Sequence, residues 1–221
     1  MANILCLDFD DTVVLENTAR LIFERFAKPS WREFEAEYHR GRLSVEQFNA
    51  AALATVEATA EELRSFSADS VTPRDGLLEL FDWALWNDWV PVVVSNGFDF
   101  YVDAVLDGLG ADRVARHTGR TRFDYQWRVT YFSPRGIGLE DGFKLSYAAA
   151  FQNSGDFVAY AGDGASDVPA AGMAQAVFAR STLLERLHGV HPRVFPFETM
   201  TDITKVLAEE SAAWLASGST G

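Results

Sequence analysis

Four short apolar runs recur along the 221 residues: Ile4 to Phe9, Val90 to Ser95, Phe157 to Ala161 and Ala176 to Ala179. Each is followed by turn residues and a helix-like stretch. Strands that read as nearly continuous apolar runs are covered on both faces, and alternation of such strands with helices builds a largely parallel sheet. The pattern therefore predicts an α/β protein. Ligands of such sheets bind beyond the carboxyl ends of the strands. The first three runs end in polar residues, Asp8 to Thr12, Ser95-Asn96-Gly97 and Gly162 to Asp167.

Residues 13 to 72 follow another rule. Leu21, Ile22, Phe23 and Phe26, then Trp31, Phe34 and Tyr38, fall at helical spacings, and the Ala-rich stretch 44 to 66 holds strong helix formers. This predicts a small helical insertion whose aromatic stripe serves as core, with contact to a ligand as the alternative. Pro73 and Arg74-Asp75-Gly76 then open a helix over 76 to 88 that leads into the second strand. Between about 113 and 141, Phe123, Tyr125, Trp127, Val129 and Tyr131 alternate with polar residues, which predicts a strand. Ser133-Pro134-Arg135-Gly136 reads as a turn, with a short segment Ile137 to Glu140 behind it. From Ser211 the pattern weakens, and residues 217 to 221 are expected to be flexible.

Composition narrows the partners. Hydrophobic residues make up 48% and charged residues 23%, as in globular domains, and no stretch approaches the roughly 18 to 20 apolar residues of a membrane span. A net charge of -13 opposes a nucleic-acid partner, since such proteins cluster Lys and Arg against the phosphates. A small anionic ligand stays compatible, because a bound cation and local donors set the potential inside one pocket. Cys6, the single cysteine, sits in an apolar run and is expected as a buried reduced thiol. The chain passes from Met1-Ala2-Asn3 straight into a strand, without the basic and apolar segments of a signal peptide, so a cytoplasmic monomer or homodimer is expected.

Chemistry concentrates at the strand ends. Alternation along an extended chain points Asp8 and Asp10 of Asp8-Phe9-Asp10-Asp11-Thr12 to one side. Two such carboxylates repel unless one keeps its proton or a divalent cation joins them, and a pair with one ionised and one protonated member can supply a nucleophile and a general acid. Alone, this segment is equally an acidic turn whose Asp11 and Thr12 cap a helix. At the second strand end a Ser95 hydroxyl and neighbouring backbone N–H groups, at Asn96 and Gly97, can hold a phosphoryl oxygen; alternatively Ser95 and Asn96 bond their own backbone in a turn. In Gly162-Asp163-Gly164-Ala165-Ser166-Asp167, flanking glycines permit a tight turn that aims Asp163 at the strand ends. Asp167 can face the same point from the first turn of a helix. Two aspartates exceed what helix capping needs. Lys144, at the start of a helix-like segment from Gly142 to Phe151, is poorly placed for the helix dipole and could balance the charge of this carboxylate cluster. His39, His117, His188 and His191 show no metal-ligand spacing.

In this order and at these strand ends, the segments resemble the four motifs of the haloacid dehalogenase superfamily, which map to Asp8/Asp10, Ser95, Lys144 and Asp163/Asp167. The resemblance runs from residue 4 to about 168. It implies a Rossmann-like parallel sheet core, residues 1 to 12 and 73 to 221 with a β-rich insertion at about 113 to 141, and a helical cap over 13 to 72 inserted after strand one. It further implies that Asp8 attacks phosphorus to form an aspartyl phosphate, and that Asp10 protonates the leaving alkoxide and later activates water. Ser95, Asn96 and Lys144 would bind the phosphate. Mg²⁺ would be held by Asp8, the Asp10 backbone carbonyl and Asp163, with Asp167 orienting that shell. Within the superfamily, an aspartate at position 10 argues against the dehalogenases and the transport ATPases and leaves phosphate ester hydrolysis.

Ser95-Asn96-Gly97-Phe98-Asp99-Phe100-Tyr101, Gly162 to Val168, Val177-Phe178-Ala179 and Pro196-Phe197-Glu198-Thr199 resemble the phosphoserine-phosphatase-like branch, in particular its methionine-salvage phosphatases. A small phosphorylated metabolite like 2-hydroxy-3-keto-5-methylthiopentenyl 1-phosphate is the implied substrate. Phosphoserine is the alternative, although the glutamate which that family places nine positions after the nucleophile is Asn17 here. Glu16 lies one step, about 100° of helix, away. Thr12, Glu16 and Phe98 are expected at the substrate pocket. Two other classes share parts of this pattern: a receiver-like signalling domain that is itself phosphorylated on aspartate, and an inert binding module on the same fold.

Overall fold

Successive residues of the first strand point into different cores, which explains its unbroken apolar character. In the computed structural model, which describes residues 1–218, β1 (Asn3–Leu7) sends Leu5 and Leu7 into one cluster and Ile4 and Cys6 into another. Val93 with Ala159 and Ala161, against Val92 and Val94 with Val158 and Tyr160, repeat the division on β2 (Trp89–Phe98) and β6 (Phe157–Gly162). A sheet buried on both faces needs helices on both, as the parallel pattern requires.

Among the described residues the sheet has eight strands in the order β5-β4-β3-β2-β1-β6-β7-β8. β3 (Ala115–Asp124), β2, β1, β6, β7 (Ala176–Ala179) and β8 (Val194–Pro196) are parallel, whereas β4 (Gln126–Phe132) and β5 (Gly138–Leu139) extend the β3 edge antiparallel. The chain leaves β1 for β2 on one side and later places β6 on the other. Asp8 thus stands at the switch point between the ends of β2 and β6, where ligands of such sheets bind.

On one face lie α5 (Leu77–Trp86), α6 (Asp99–Gly108) and α10 (Met200–Gly218), whose Leu80, Val102 and Ile203 join the first cluster. α7 (Phe143–Asn153), α8 (Val168–Ala171) and α9 (Ser181–Leu187) bring Tyr147, Ala170 and Leu183 to the second. The weakly patterned tail is therefore helical to Gly218, and the expected flexibility of its last residues lies, for 219 to 221, outside the described residues.

Between β1 and α5 stand four helices: α1 (Thr18–Phe26), α2 (Trp31–His39), α3 (Val45–Leu53) and α4 (Ala60–Ser70). Ser44 with Gln47 and Thr59 with Glu62 form reciprocal capping boxes, so the Ala-rich stretch breaks into two helices between 54 and 59. The segments entering and leaving this helical region run side by side: Val14 pairs with Pro73, and Glu16 accepts the Thr72 N–H at 2.7 Å and its hydroxyl at 3.0 Å.

One strand expectation is corrected. The alternation from Phe123 to Tyr131 belongs to two strands, because the chain reverses at Tyr125, which takes a left-handed φ of 61°. Phe123 pairs with Trp127 and Thr121 with Val129. Paired residues share a face, so a hairpin centred on an odd position keeps every odd residue on the same side and imitates one straight strand. β3 itself pairs parallel with β2.

Candidate active site

Asp8 follows β1 directly and its N–H donates to the Ala161 carbonyl at 2.9 Å, which fixes the residue beside β6. Its carboxylate, 6% exposed, meets Lys144 Nζ at 2.8 Å. Lys144 lies on the first turn of α7, also buried, and reaches Asp167 at 2.6 Å. Burial alone would lower the lysine's pKa, but Asp167 and Asp8 outweigh it and hold it charged. Burial pushes the Asp8 carboxyl upward, Lys144 pulls it back, and Asp167 and Asp163 push it up again. When ionised, three carboxylates with one ammonium leave negative charge that a cation would offset.

Asp167 is fully buried and its two oxygens take four donors. Lys144 Nζ and the Tyr160 hydroxyl at 2.7 Å serve Oδ1, and the N–H groups of Asp163 at 3.1 Å and Gly164 at 2.9 Å serve Oδ2. This residue shapes the loop that presents Asp163. Gly162 is required here for space: its φ is not left-handed, and a Cβ would stand 2.7 Å from Asp167 Cγ. Asp163 is half-buried and accepts the Thr12 hydroxyl at 3.3 Å. Burial, with Asp167 and Asp11 nearby, pushes it up to about 7.

Carboxylate oxygens of Asp8, Asp163 and Asp167 lie within 4.8 Å of one another. Oxygen-only donors carrying excess negative charge suit a hard divalent cation, so these residues fit Mg²⁺. With Asp167 saturated, Asp8 and Asp163 offer the open carboxylate oxygens. The Asp10 side chain lines the same cavity but stands outside this cluster: Oδ1 accepts the Thr18 N–H at 2.8 Å and Oδ2 accepts the Tyr101 hydroxyl at 2.5 Å. Burial raises the Asp10 carboxyl, and the donors Tyr101 and Thr18 hold it back. A raised carboxyl suits an acid.

Ser95 borders the same cavity, and its Oγ accepts the Gly97 N–H at 3.0 Å, which leaves the hydroxyl hydrogen for a ligand. Asn96 also borders it, but its side-chain amide donates to Glu46 at 3.0 Å, so that side chain is not turned to a phosphate. The cavity, about 250 Å³, is walled by Phe23, Trp31, Tyr38 and Phe48 of α1, α2 and α3, with Arg20, Glu35 and His39 also lining it. Three expected pocket residues lie elsewhere. Thr12 is buried beneath Asp163, Glu16 ties itself to Thr72, and Phe98 is fully buried among Phe23, Phe100 and Tyr101. Asn17 caps α1 by accepting the Arg20 N–H at 3.0 Å and donates to Asp11 at 3.1 Å.

Sequence reasoning missed Tyr101, Tyr160 and Arg74. The Arg74 guanidinium, 4% exposed, donates to the carbonyls of Thr12, Asp11 and Glu198 at 2.6, 2.7 and 2.9 Å and pins the loop after β1. Its place beside the Pro73 breaker gave no hint of that contact. Tyr101 carried a faint signal, since Gly97, four residues earlier, leaves the room its ring needs.

A strand-end carboxylate paired with a buried lysine, a second carboxylate two residues on, and an acidic loop from β6 define a phosphoryl-transfer type of site on a parallel α/β sheet. Residues 5–172 match the haloacid dehalogenase-like hydrolase family, and the chain belongs to it. It is 26% identical over 205 residues to a 2-hydroxy-3-keto-5-methylthiopentenyl-1-phosphate phosphatase of Bacillus cereus (strain ATCC 10987 / NRS 248), covering 90% of this chain and 93% of that protein. A protein of the same name from Exiguobacterium sp. (strain ATCC BAA-1283 / AT1b) is 26% identical over 211 residues, covering 91% and 95%. Among solved structures, a phospho-aspartyl intermediate analogue of phosphoserine phosphatase superposes with a TM-score of 0.69 at 20% identity, covering 92% of this chain and 98% of that one. A substrate-bound phosphoserine phosphatase complex gives 0.68 at 19% identity, covering 93% and 98%. These structures share the fold. Among the described residues no helix is long and apolar enough to cross a membrane.

Proposed function

We propose that the chain is a Mg²⁺-dependent phosphomonoesterase, with residues 13 to 72 as a cap over a core formed by the rest. The observation that carries this reading is the Asp8–Lys144 pair beside Asp163, with the Asp10 carboxyl held two residues on by Tyr101. Asp8 and Asp163, with the backbone carbonyl of Asp10, would hold the cation, which when bound neutralises phosphate charge and favours the ionised nucleophile. An Asp8 oxygen attacks phosphorus while the bond to the leaving oxygen breaks, and Asp10 gives that oxygen its proton. Asp10 then takes a proton from water, whose oxygen attacks phosphorus and frees Asp8 as the acyl phosphate bond breaks. Lys144 stays protonated and offsets charge, and Ser95 donates to a phosphoryl oxygen.

The leaving group faces Phe23, Trp31, Tyr38 and Phe48, a wall that suits an apolar tail. That wall, with the names borne by the relatives, supports a substrate like 2-hydroxy-3-keto-5-methylthiopentenyl 1-phosphate. Phosphoserine is the weaker reading, since Glu16 is bound to Thr72 and Asn17 is a helix cap. Steady-state comparison of the two substrates tests the choice. The first is expected to give kcat/KM higher by about tenfold or more, the discrimination that one pocket supplies; a higher value for phosphoserine overturns it.

A further inference from the structure

Helix α3 carries two buried polar side chains three residues apart, Glu46 and Asn49, and both turn to Asn96, the residue after Ser95. Glu46 Oε1 accepts the Asn96 side-chain amide at 3.0 Å and the N–H of Phe143 at 2.9 Å. Asn49 donates to the Asn96 carbonyl at 2.8 Å and to the Tyr131 hydroxyl at 3.0 Å, which itself donates to that carbonyl at 2.6 Å. Ser44, the cap of α3, donates to the Glu140 carbonyl at 2.5 Å, just ahead of α7. A single helix of the inserted region thus grips both the end of β2 and the start of α7.

Phe143 opens α7 and Lys144 follows it. A carboxylate on the first N–H of a helix satisfies an orphan donor and complements the helix dipole, which fixes the turn that carries Lys144. The other Glu46 oxygen, Oε2, is buried with no hydrogen-bond partner. Leaving that acceptor dry is costly, so packing alone gives no reason to keep a carboxylate at this position. Its bonded oxygen instead touches the neighbours of two residues that face phosphate.

We propose that Glu46 is a positioning residue, which holds Asn96 and the first turn of α7 and through them sets Ser95 and Lys144 against Asp8. This rests on the phosphatase reading above. Glu46→Ala leaves two donors without their acceptor, whereas Glu46→Gln keeps an acceptor oxygen at the same reach. The test is steady-state hydrolysis of p-nitrophenyl phosphate by the full chain at saturating Mg²⁺, with amide hydrogen exchange at Phe143 and Lys144 in the same proteins. Because a misplacement of about 1 Å can cost about a hundredfold, Glu46→Ala is expected to lower kcat by about tenfold or more with KM changed less than about threefold. Exchange at Phe143 accelerates in that variant, and Glu46→Gln keeps kcat within about threefold of the parent. A kcat for Glu46→Ala within about twofold of the parent overturns the proposal, as does a glutamine variant as impaired as the alanine one with exchange unaltered. Should Glu46→Ala not fold, Glu46→Asp withdraws the carboxylate by one methylene and carries the same expectation, with parent-like kcat again overturning it. A parent that does not turn over p-nitrophenyl phosphate contradicts the phosphatase reading instead, and exchange at Phe143 still decides whether Glu46 holds α7.

Discussion

Asp10 owes its part in the proposed reaction to two donors from different places, the Thr18 N–H at the start of α1 and the Tyr101 hydroxyl of α6. Tyr101 is fully buried, and burial together with Asp10 drives its own ionisation upward, so it remains a donor. That donation lowers the Asp10 pKa from where burial would place it. Tyr101→Phe therefore raises it, and the limb of the kcat–pH profile carried by Asp10 moves to higher pH, whether protonation of the leaving group or activation of water limits turnover. An unmoved limb would separate Tyr101 from the chemistry. Gly97 is the condition for this contact, because a Cβ there would collide with the Tyr101 hydroxyl. Gly97→Ala is expected to cost about 1–3 kcal/mol in denaturant unfolding, as overpacking does, and to displace the same pH limb.

At the scale of elements, the turn after β6 matters most, since Asp167 closes over Gly162 to collect the N–H groups of Asp163 and Gly164 and to reach Lys144 across to α7. Gly162→Ala forces Asp167 away, with a Cβ 2.7 Å from its Cγ. The expected outcome is about 1–3 kcal/mol lost in denaturant unfolding, together with weaker Mg²⁺ activation, because Asp163 and Lys144 both lose their anchor. Strand ends and motif order were legible because continuous apolar runs identify parallel strands and the polar residues that follow must sit at their mouths. β3 was illegible over Ala115 to Arg122, where Arg116, His117, Arg120 and Arg122 hide the pattern in the strand at which the parallel part of the sheet ends. The Phe123–Tyr131 alternation misled for a geometric reason, since a hairpin turning on Tyr125 preserves parity. The break between α3 and α4 was signalled by Thr59 and Glu62, a capping pair inside an Ala-rich run.

Across the whole molecule, the pocket lies between the carboxylates at the strand ends and the aromatic side chains of α1, α2 and α3. The walls were the least legible part. Helical spacing groups Phe23 with Ile22 and Phe26, and Trp31 with Tyr38, but does not show that those faces cover the carboxylates as well as the core, and Phe48 stood outside that pattern. Buried acids also give the metal-free protein an unusual pH response. The Asp163 carboxyl, pushed up from 3.8 to about 7, holds a proton in the folded state that the unfolded chain has released. Through this group the folded state binds more protons than the unfolded one, so its contribution to stability without metal falls as pH rises from about 4 to about 7; the raised Asp8 and Asp10 act in the same direction, and His117, lowered by burial, opposes them. Mg²⁺ takes the place of that proton, so denaturant midpoints with EDTA should fall with pH over this window while those with saturating Mg²⁺ should not. A midpoint with EDTA that rises over the window would mean that these carboxylates are ionised without metal. The proposed role of Asp8 as a nucleophile that turns over is tested by phosphate release from p-nitrophenyl phosphate by the parent and by Asp8→Asn, with Mg²⁺ and with EDTA. Sustained release that requires Mg²⁺ and disappears in Asp8→Asn is expected; equal release by that variant, or a single slow phosphorylation without turnover, would rule out Asp8 as a nucleophile that turns over.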